Sequence, residues 1–516
     1  MSRLFFVLIG LSSFFVLFFY SILTHPFEVP DEQSHYATVH YLASEGQMPI
    51  LTKHSDLSLE EENTEYIFGI MSEGNNKYSY HPEFRMDYIP GLRGLYESKI
   101  SSFNTPQYRR TYTIHQAAIY PPLYYWVTYP FYQAVNSSGI ITRLFVSRLA
   151  SVILTMFTII STFFIGKLIF DKRSYGLTLA LMTLFFPMTV YLGSGVSSDN
   201  LHNLLFTFFF YFSIKYLKSG WSIRDSLVTG FIIALDILTK PQAYIMFPLL
   251  ALVIMVRGSW QEWRLTLKNV LVLALTVLVI AGWYKQPQYL DTGATFVAQS
   301  LLYGGWSNFQ VFVKQYASLF TGAMLVWYWG VFKWFGIVLP RPVWWVANRL
   351  VIVAGVGLIL SVWQSWKNRK NSFLLRIVIF TILANLTYLC ALLWFDWQFY
   401  QQIGRSLGFQ ARYLMPLLST QMFLLLYGLT SLGWSTRIRE LIRKTVIVFF
   451  FGLHLAGLFT MISSYYDLLP LSRLIEQMSQ YKPIYAKGSW WYLYFSLYFT
   501  GIITTSIMAL KSDTKK

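Results

Sequence analysis

Long apolar runs separated by short polar segments dominate the chain, at roughly 4–23, 144–169, 176–193, 200–217, 225–239, 241–257, 268–284, 345–363, 372–395, 413–432, 444–465 and 490–510. A helix needs about 20 such residues to cross a bilayer, so the runs predict about twelve spans. They are continuous rather than alternating, and lipid leaves backbone polar groups no partner outside the segment. Helices are therefore expected rather than a barrel. The fold class is an all-α polytopic membrane protein, a single integral unit over 1–516. It divides into a long first extracytoplasmic loop (24–143), a helical core (144–284), an extracytoplasmic or re-entrant region rich in Trp, Tyr and Gly (285–344) and C-terminal transmembrane helices (345–516).

One stretch resists simple counting. Tyr120-Pro121-Pro122-Leu123-Tyr124-Tyr125-Trp126 opens an apolar segment that ends near Asn136. If it crossed the membrane, Lys172 and Arg173 would move outside and the charge pattern would invert. It is expected to form an interfacial helix on the outer leaflet, a depth that suits Tyr and Trp.

Composition agrees with the pattern: 55% hydrophobic, 19% aromatic and 13% charged residues lie far from a soluble domain. The net charge of +17 suggests nucleic acid until it is divided by topology. With the amino terminus inside, nearly all the excess falls on cytoplasmic segments through residues such as Lys172, Arg173, Arg257, Lys370, Arg437, Arg439, Lys515 and Lys516. That is the positive-inside rule, and it leaves no case for a nucleic-acid partner. Both termini are then cytoplasmic and the long first loop is outside. Cys390 is alone, so no disulfide within the chain and no thiol cluster can form. The first span follows Arg3, lacks a small-residue cleavage site and reads as a retained anchor. A bacterial plasma (inner) membrane is the expected location.

Polar residues interrupting the pattern share the outer face: Asp31, Glu32 and His35 after the first span, His115 and Tyr120 before the Pro-Pro helix, Ser197-Ser198-Asp199-Asn200 at the next outer turn, Lys240 between two spans, and Arg405 and Arg412 before the tenth. Acids, histidines and cations at one depth are what a catalytic cleft requires. Plainer readings stand beside this one. Pro30 followed by acids also favours a helix N-terminus. Ser198 and Asp199 suit N-caps, Lys240 is placed to pair with Asp236 four residues earlier, and Arg412 can snorkel. Glu60-Glu61-Glu62 is expected to be a solvated face without chemistry. Asp31 and His35, spaced i, i+4, should share a helix face.

Together, Val29-Pro30-Asp31-Glu32, His115 with Tyr120-Pro121-Pro122, Ser198-Asp199-Asn200, Leu238-Thr239-Lys240 and Ala411-Arg412-Tyr413-Leu414-Met415-Pro416 resemble, over about 4–430, the GT-C superfamily of polyprenyl-phosphate-dependent glycosyltransferases. Similar members are the protein O-mannosyltransferases, the aminoarabinose transferases of lipid A, and a bacterial family of predicted membrane proteins with the same opening. The large soluble C-terminal domain of oligosaccharyltransferases has no counterpart here, which argues against transfer of a whole oligosaccharide to asparagine. The resemblance implies a GT-C-like bundle and an inverting hexosyl- or pentosyltransferase acting on the extracytoplasmic face. The donor would be a polyprenyl-phosphate-sugar and the acceptor a hydroxyl of a glycan, lipid or protein. Asp31 would be the general base, and Glu32 would orient the acceptor, assist the base or help hold a metal. Lys240, Arg412 and Tyr413 would meet the donor phosphate. His35, His115, Tyr120, Pro121, Pro122, Ser198, Asp199 and Asn200 would line the substrate pocket. No cofactor is specified, and a divalent metal stays open because Asp31, Glu32, His35 and His115 offer donors without a diagnostic spacing. The alternative is a transporter or flippase of lipid-linked saccharides, with Arg148, Asp236 and Lys240 along its pathway. Transporters usually carry an internal repeat and a midplane site, and the sequence shows neither.

Overall fold

The computed structural model describes residues 3–49, 57–68, 71–72, 75–78, 90–103, 116–258, 263–284, 306–368, 373–403 and 410–511. All twelve apolar runs are mainly helical where described. The first is α1 (Arg3–Leu23), and the long segment after it holds α2 (Glu32–Glu45), α3 (Leu59–Ile67), α4 (Pro90–Ser102) and α5 (Leu123–Gln133). A two-stranded hairpin pairs Met71–Ser72 with Asn75–Tyr78. At 11 residues, about 16 Å, α5 is too short to cross a bilayer. The core follows as α6 (Ile140–Phe170), α7 (Arg173–Leu184), α8 (Pro187–Leu192), α9 (Asp199–Ser219), α10 (Ile223–Ile237), α11 (Met246–Arg257) and α12 (Trp263–Ala281). The run at 176–193 is not one helix. Pro187 cannot donate into the preceding turn, so the chain breaks between α7 and α8.

The region after 305 contains α13 (Trp306–Leu319), a π-helical turn over Phe320–Met324 and a small hairpin of Val331–Phe332 with Ile337–Val338. The remaining helices are α14 (Arg341–Lys367), α15 (Phe373–Ile403), α16 (Leu418–Ser431), α17 (Thr436–Tyr465), α18 (Leu471–Met478) and α19 (Trp490–Lys511). Among the described residues, seven helices are long and apolar enough to span a membrane by themselves. The other runs are shorter, as at Val7–Leu23 and Pro241–Arg257, or are broken or carry polar residues.

Helix α6 is the central post, packed by α1, α5, α7 and α9. Helix α14 rests on α16 where Gly357 faces Gly428, and a methyl group on either would overlap the other helix's backbone. Small residues let membrane helices approach this closely, and van der Waals contact then holds them.

One expectation about the segment between α1 and α6 fails. Glu60, Glu61 and Glu62 are buried rather than solvated. Ser58 caps α3 through Glu61 N–H at 3.1 Å, and Glu60 pairs with the buried Arg143. Burial holds the Glu61 and Glu65 carboxyls well above the usual range, and each is raised further by its acidic neighbours. A run of like charges is a solvated face only when no other element covers it.

Candidate active site

The site begins where α2 begins. Asp31 occupies the N-cap with φ 61° and ψ 11°, a left-handed conformation that non-glycine residues seldom adopt. Glu32 N–H donates to the Val29 carbonyl at 3.0 Å, closing the turn that Pro30 starts. Gly195 is required beside it, since a methyl group there would strike Val29. The turn sends the neighbouring carboxylates to different places. Asp31, one-quarter exposed, accepts from Arg412 Nη2 at 2.6 Å. Glu32 is fully buried and accepts from Arg148 on both oxygens, at 2.7 Å from Nε and 2.6 Å from Nη2, and from Val196 N–H at 2.9 Å. Arg148 spends its remaining donors on the Ser21, Thr24 and His25 carbonyls at the end of α1.

The second ion pair joins Lys240 to Asp199. The i, i+4 pairing of Lys240 with Asp236 does not occur. Helix α10 ends at Ile237 and Lys240 is extended (φ −151°, ψ 144°), so its side chain turns away. Asp236 instead accepts from His202 Nδ1 at 2.9 and 3.0 Å. Ser198 sits at the N-cap of α9 without making a capping bond, and its hydroxyl is buried without a partner. Asn200 donates to the Leu192 and Gly195 carbonyls, both at 3.3 Å, and so fixes the turn that carries Asp199.

Aromatic residues join the two pairs. Tyr120 stacks on His35 with centroids 5.4 Å apart, and Lys240 Nζ lies 5.2 Å from the centre of its ring. Arg412 lies 5.3 Å from the Tyr413 centroid. His35 Nδ1 is 2.9 Å from the Tyr125 hydroxyl. Burial pushes the His35 imidazole down to about 4, against an upward pull from Asp31 and Asp199. Burial likewise raises the Tyr120 phenol well above 10, with Tyr413, Asp31 and Asp199 adding to the rise. Pro121 and Pro122 are buried, and Leu123 N–H at the head of α5 bonds the Leu238 carbonyl at 2.9 Å, which holds Tyr120 next to Lys240. Tyr124 OH meets Ser151 Oγ at 2.8 Å and accepts from Ser197 N–H at 2.9 Å.

Asp31, His35, Tyr120, Asp199, Lys240, Arg412 and Tyr413 thus form one cluster, drawn from five separated parts of the chain. Ser198 and Asn200 support it from α9. Glu32 stands behind it, tied to Arg148. His115 and Arg405 lie outside the described residues. Asp31, Glu32 and His35 do not converge as metal ligands, because their polar atoms face Arg412, Arg148 and Tyr125 respectively. Among the described residues no three His, Cys, Asp or Glu side chains are grouped to hold a metal.

Sequence reasoning missed a polar layer supplied by late segments. Lys482 donates to the Thr24 carbonyl at 2.9 Å, Lys333 to the Ser464 carbonyl at 3.1 Å, and Tyr466 to the Leu23 carbonyl at 2.9 Å, all near the buried Glu28. Burial lowers the Lys482 ammonium well below its ordinary value, and Arg148 lowers it further. No short motif marks these residues. Their only signal was an ionisable side chain in an apolar neighbourhood.

The bundle and its charged cluster define a polytopic helical membrane protein with a polar site at one end of its helices. The chain belongs to the family described as predicted membrane protein (DUF2142), whose model matches residues 14–420. A comparison with curated proteins returned no match. Similar solved structures include ArnT from Cupriavidus metallidurans bound to undecaprenyl phosphate, at 13% identity and TM-score 0.46, covering 99% of this chain and 77% of that one. Another is the archaeal oligosaccharyltransferase AglB from Archaeoglobus fulgidus in complex with an inhibitory peptide and a dolichol-phosphate, at 13% identity and TM-score 0.42, covering 90% and 56%.

Proposed function

We propose that this protein is an inverting glycosyltransferase of the GT-C type, moving a sugar from a polyprenyl-phosphate carrier to an acceptor hydroxyl at the extracytoplasmic membrane face. The observation that carries the reading is the adjacency of two acid–cation pairs, Asp31 with Arg412 and Asp199 with Lys240, at the end of an apolar bundle. A lipid phosphate reaching that boundary meets two nearly buried cations, one a fork and one a point charge. It also meets a partly exposed carboxylate able to take a proton.

In the proposed reaction, Asp31 accepts the proton of the acceptor hydroxyl as its oxygen bonds the anomeric carbon. The bond from that carbon to the carrier phosphate breaks at the same time, and polyprenyl phosphate leaves as an anion. Protonation removes the negative charge that Arg412 was balancing at the moment the phosphate gains charge. Arg412 is thereby freed to bind the transition state more strongly than the ground state, which is the condition for catalysis. Asp199 holds Lys240 extended toward the same place. Glu32 acts as a positioning residue, fixing the turn through Arg148 rather than touching substrate. Tyr120, Pro121, Pro122, His35 and Tyr413 form the wall of the sugar pocket.

The test is transfer of radiolabelled sugar from polyprenyl-phosphate donors in membranes. Asp31→Asn should lower the rate by about 10² to 10⁴ while donor binding is kept, as for loss of a general base. Wild-type membranes that transfer nothing from any donor, yet move lipid-linked sugars between leaflets, would replace this reading with the flippase.

A further inference from the structure

A second polar site lies at the opposite end of the bundle. From Arg148, beside the candidate active site, α6 runs to Phe170, about 33 Å along the helix axis and so the full depth of a bilayer core. Phe170 and Tyr175 form the floor of a cavity of ≈ 310 Å³. Its walls carry Gln364, Ser365 and Asn368 from the last turns of α14, Thr430 and Ser431 from the end of α16, and Arg439 from the start of α17. Arg439 Nε donates to the Gly433 carbonyl at 2.8 Å, and among the described residues no carboxylate pairs with the guanidinium. No acidic side chain lines the cavity. Arg173, Lys367 and Arg437 are exposed at the same end. The nearby Asp171 and Glu440 are engaged by Lys218 and Arg443.

Helix α14 shows what kind of ligand fits. Ser361, Gln364, Ser365 and Asn368 recur at i, i+3, i+4 and i+7, so one polar stripe faces the cavity. Centred roughly 140° further round the helix, and adjoining the polar stripe where Leu360 lies one turn before Gln364, Val356, Ile359, Leu360 and Trp363 form an apolar stripe that no described helix covers, with Ile359 70% and Trp363 52% exposed. Trp366 and Trp434, exposed at the same level, suit the interfacial belt. A soluble anion would use only the first stripe. A molecule with a negatively charged head and aliphatic chains uses both.

We propose that this cavity binds the headgroup of an anionic phospholipid, with Arg439 and the α14 amides on its phosphate and its acyl chains along the apolar stripe. By the distribution of Lys and Arg, this is the cytoplasmic leaflet, where basic pockets between helices recognise such lipids. The site is independent of the transferase reading.

The test uses the full chain purified in detergent and native mass spectrometry, with phosphatidylglycerol and phosphatidylcholine of identical chains and inorganic phosphate as a third probe. Phosphatidylglycerol should be retained well above phosphatidylcholine. Arg439→Gln should weaken its retention roughly tenfold, the usual consequence of losing a charged hydrogen-bond donor. Ser365→Trp, which fills the cavity without touching a charge, should abolish it. Thermal unfolding of both variants near the wild-type temperature shows that the fold is kept. Equal retention of the two lipids, or retention unchanged in both variants, overturns the proposal. Inorganic phosphate bound in the cavity that phosphatidylglycerol cannot displace overturns it in favour of a soluble anion.

Discussion

Glu32→Gln separates positioning from chemistry at the residue next to the proposed base. Glu32 is completely buried, and among the described residues its carboxylate is hydrogen-bonded to Arg148 and the Val196 N–H. Glutamine keeps the shape and one acceptor but removes the charge, leaving the equally buried Arg148 guanidinium without its counter-ion. Breaking a buried pair from one side costs about 3–5 kcal/mol, because the surviving charge stays desolvated. Removing both charges costs much less, since nothing uncompensated remains. The double variant Glu32→Gln with Arg148→Met should therefore recover part of the loss, reduced by the three α1 carbonyls that Arg148 now satisfies. The assay is unfolding of the purified chain in mixed micelles with increasing denaturing detergent, followed by tryptophan fluorescence, alongside sugar transfer at matched folded protein. Glu32→Gln should be strongly destabilised, and its remaining folded fraction should transfer sugar within about tenfold of wild type, far less than the 10² to 10⁴ expected for a base. A variant as stable as wild type but inactive would refute the positioning role and make Glu32 a catalytic residue.

Arg412→Lys keeps the charge but loses the planar guanidinium whose Nη2 meets Asp31, so transfer should fall by about tenfold or more through kcat rather than donor KM. Equal kcat values would remove Arg412 from the transition state. His35 is held down to about 4 from an ordinary 6.5, so the unfolded chain binds its proton first as pH falls. The native state should lose up to ~3 kcal/mol between pH 6.5 and 4, a slope that His35→Gln should flatten in acid unfolding curves. Glu61 and Glu65 are displaced in the opposite sense, so their contribution is complete below the ordinary carboxylate range and fades as pH rises toward their elevated values. Glu61→Gln should accordingly leave stability at acid pH near wild type and improve it at alkaline pH, measured by thermal unfolding across pH. A loss at alkaline pH would show an ionised Glu61 with a partner.

Helices were legible along the chain because a bilayer demands length and apolarity, both local properties. The site was half legible. Pro30-Asp31-Glu32 and Ala411-Arg412-Tyr413 fall where an apolar run meets a polar segment, so each could be placed at a membrane boundary. Their pairing spans 381 positions and had no local trace. Lys240 was mispaired for a definite reason: the i, i+4 rule holds inside a helix, and α10 ends three residues before it. Glu60-Glu61-Glu62 misled similarly, since burial there is decided by what covers α3 and not by the run itself. Sequence adjacency also hid the different fates of Asp31 and Glu32, which one left-handed residue sends to opposite sides of the turn.

The Arg148 guanidinium also has a consequence for biogenesis. It closes the open carbonyl end of α1 and clamps the head of α2, yet it emerges from the ribosome more than a hundred residues after either. Until α6 enters the bilayer, those carbonyls and the Glu32 charge lack Arg148, and the long segment between α1 and α6 cannot settle. Synthesis therefore passes through an interval in which the nascent protein has its first helix and an unfinished segment after it. During that interval quality-control proteases and chaperones at the membrane have their best opportunity to act.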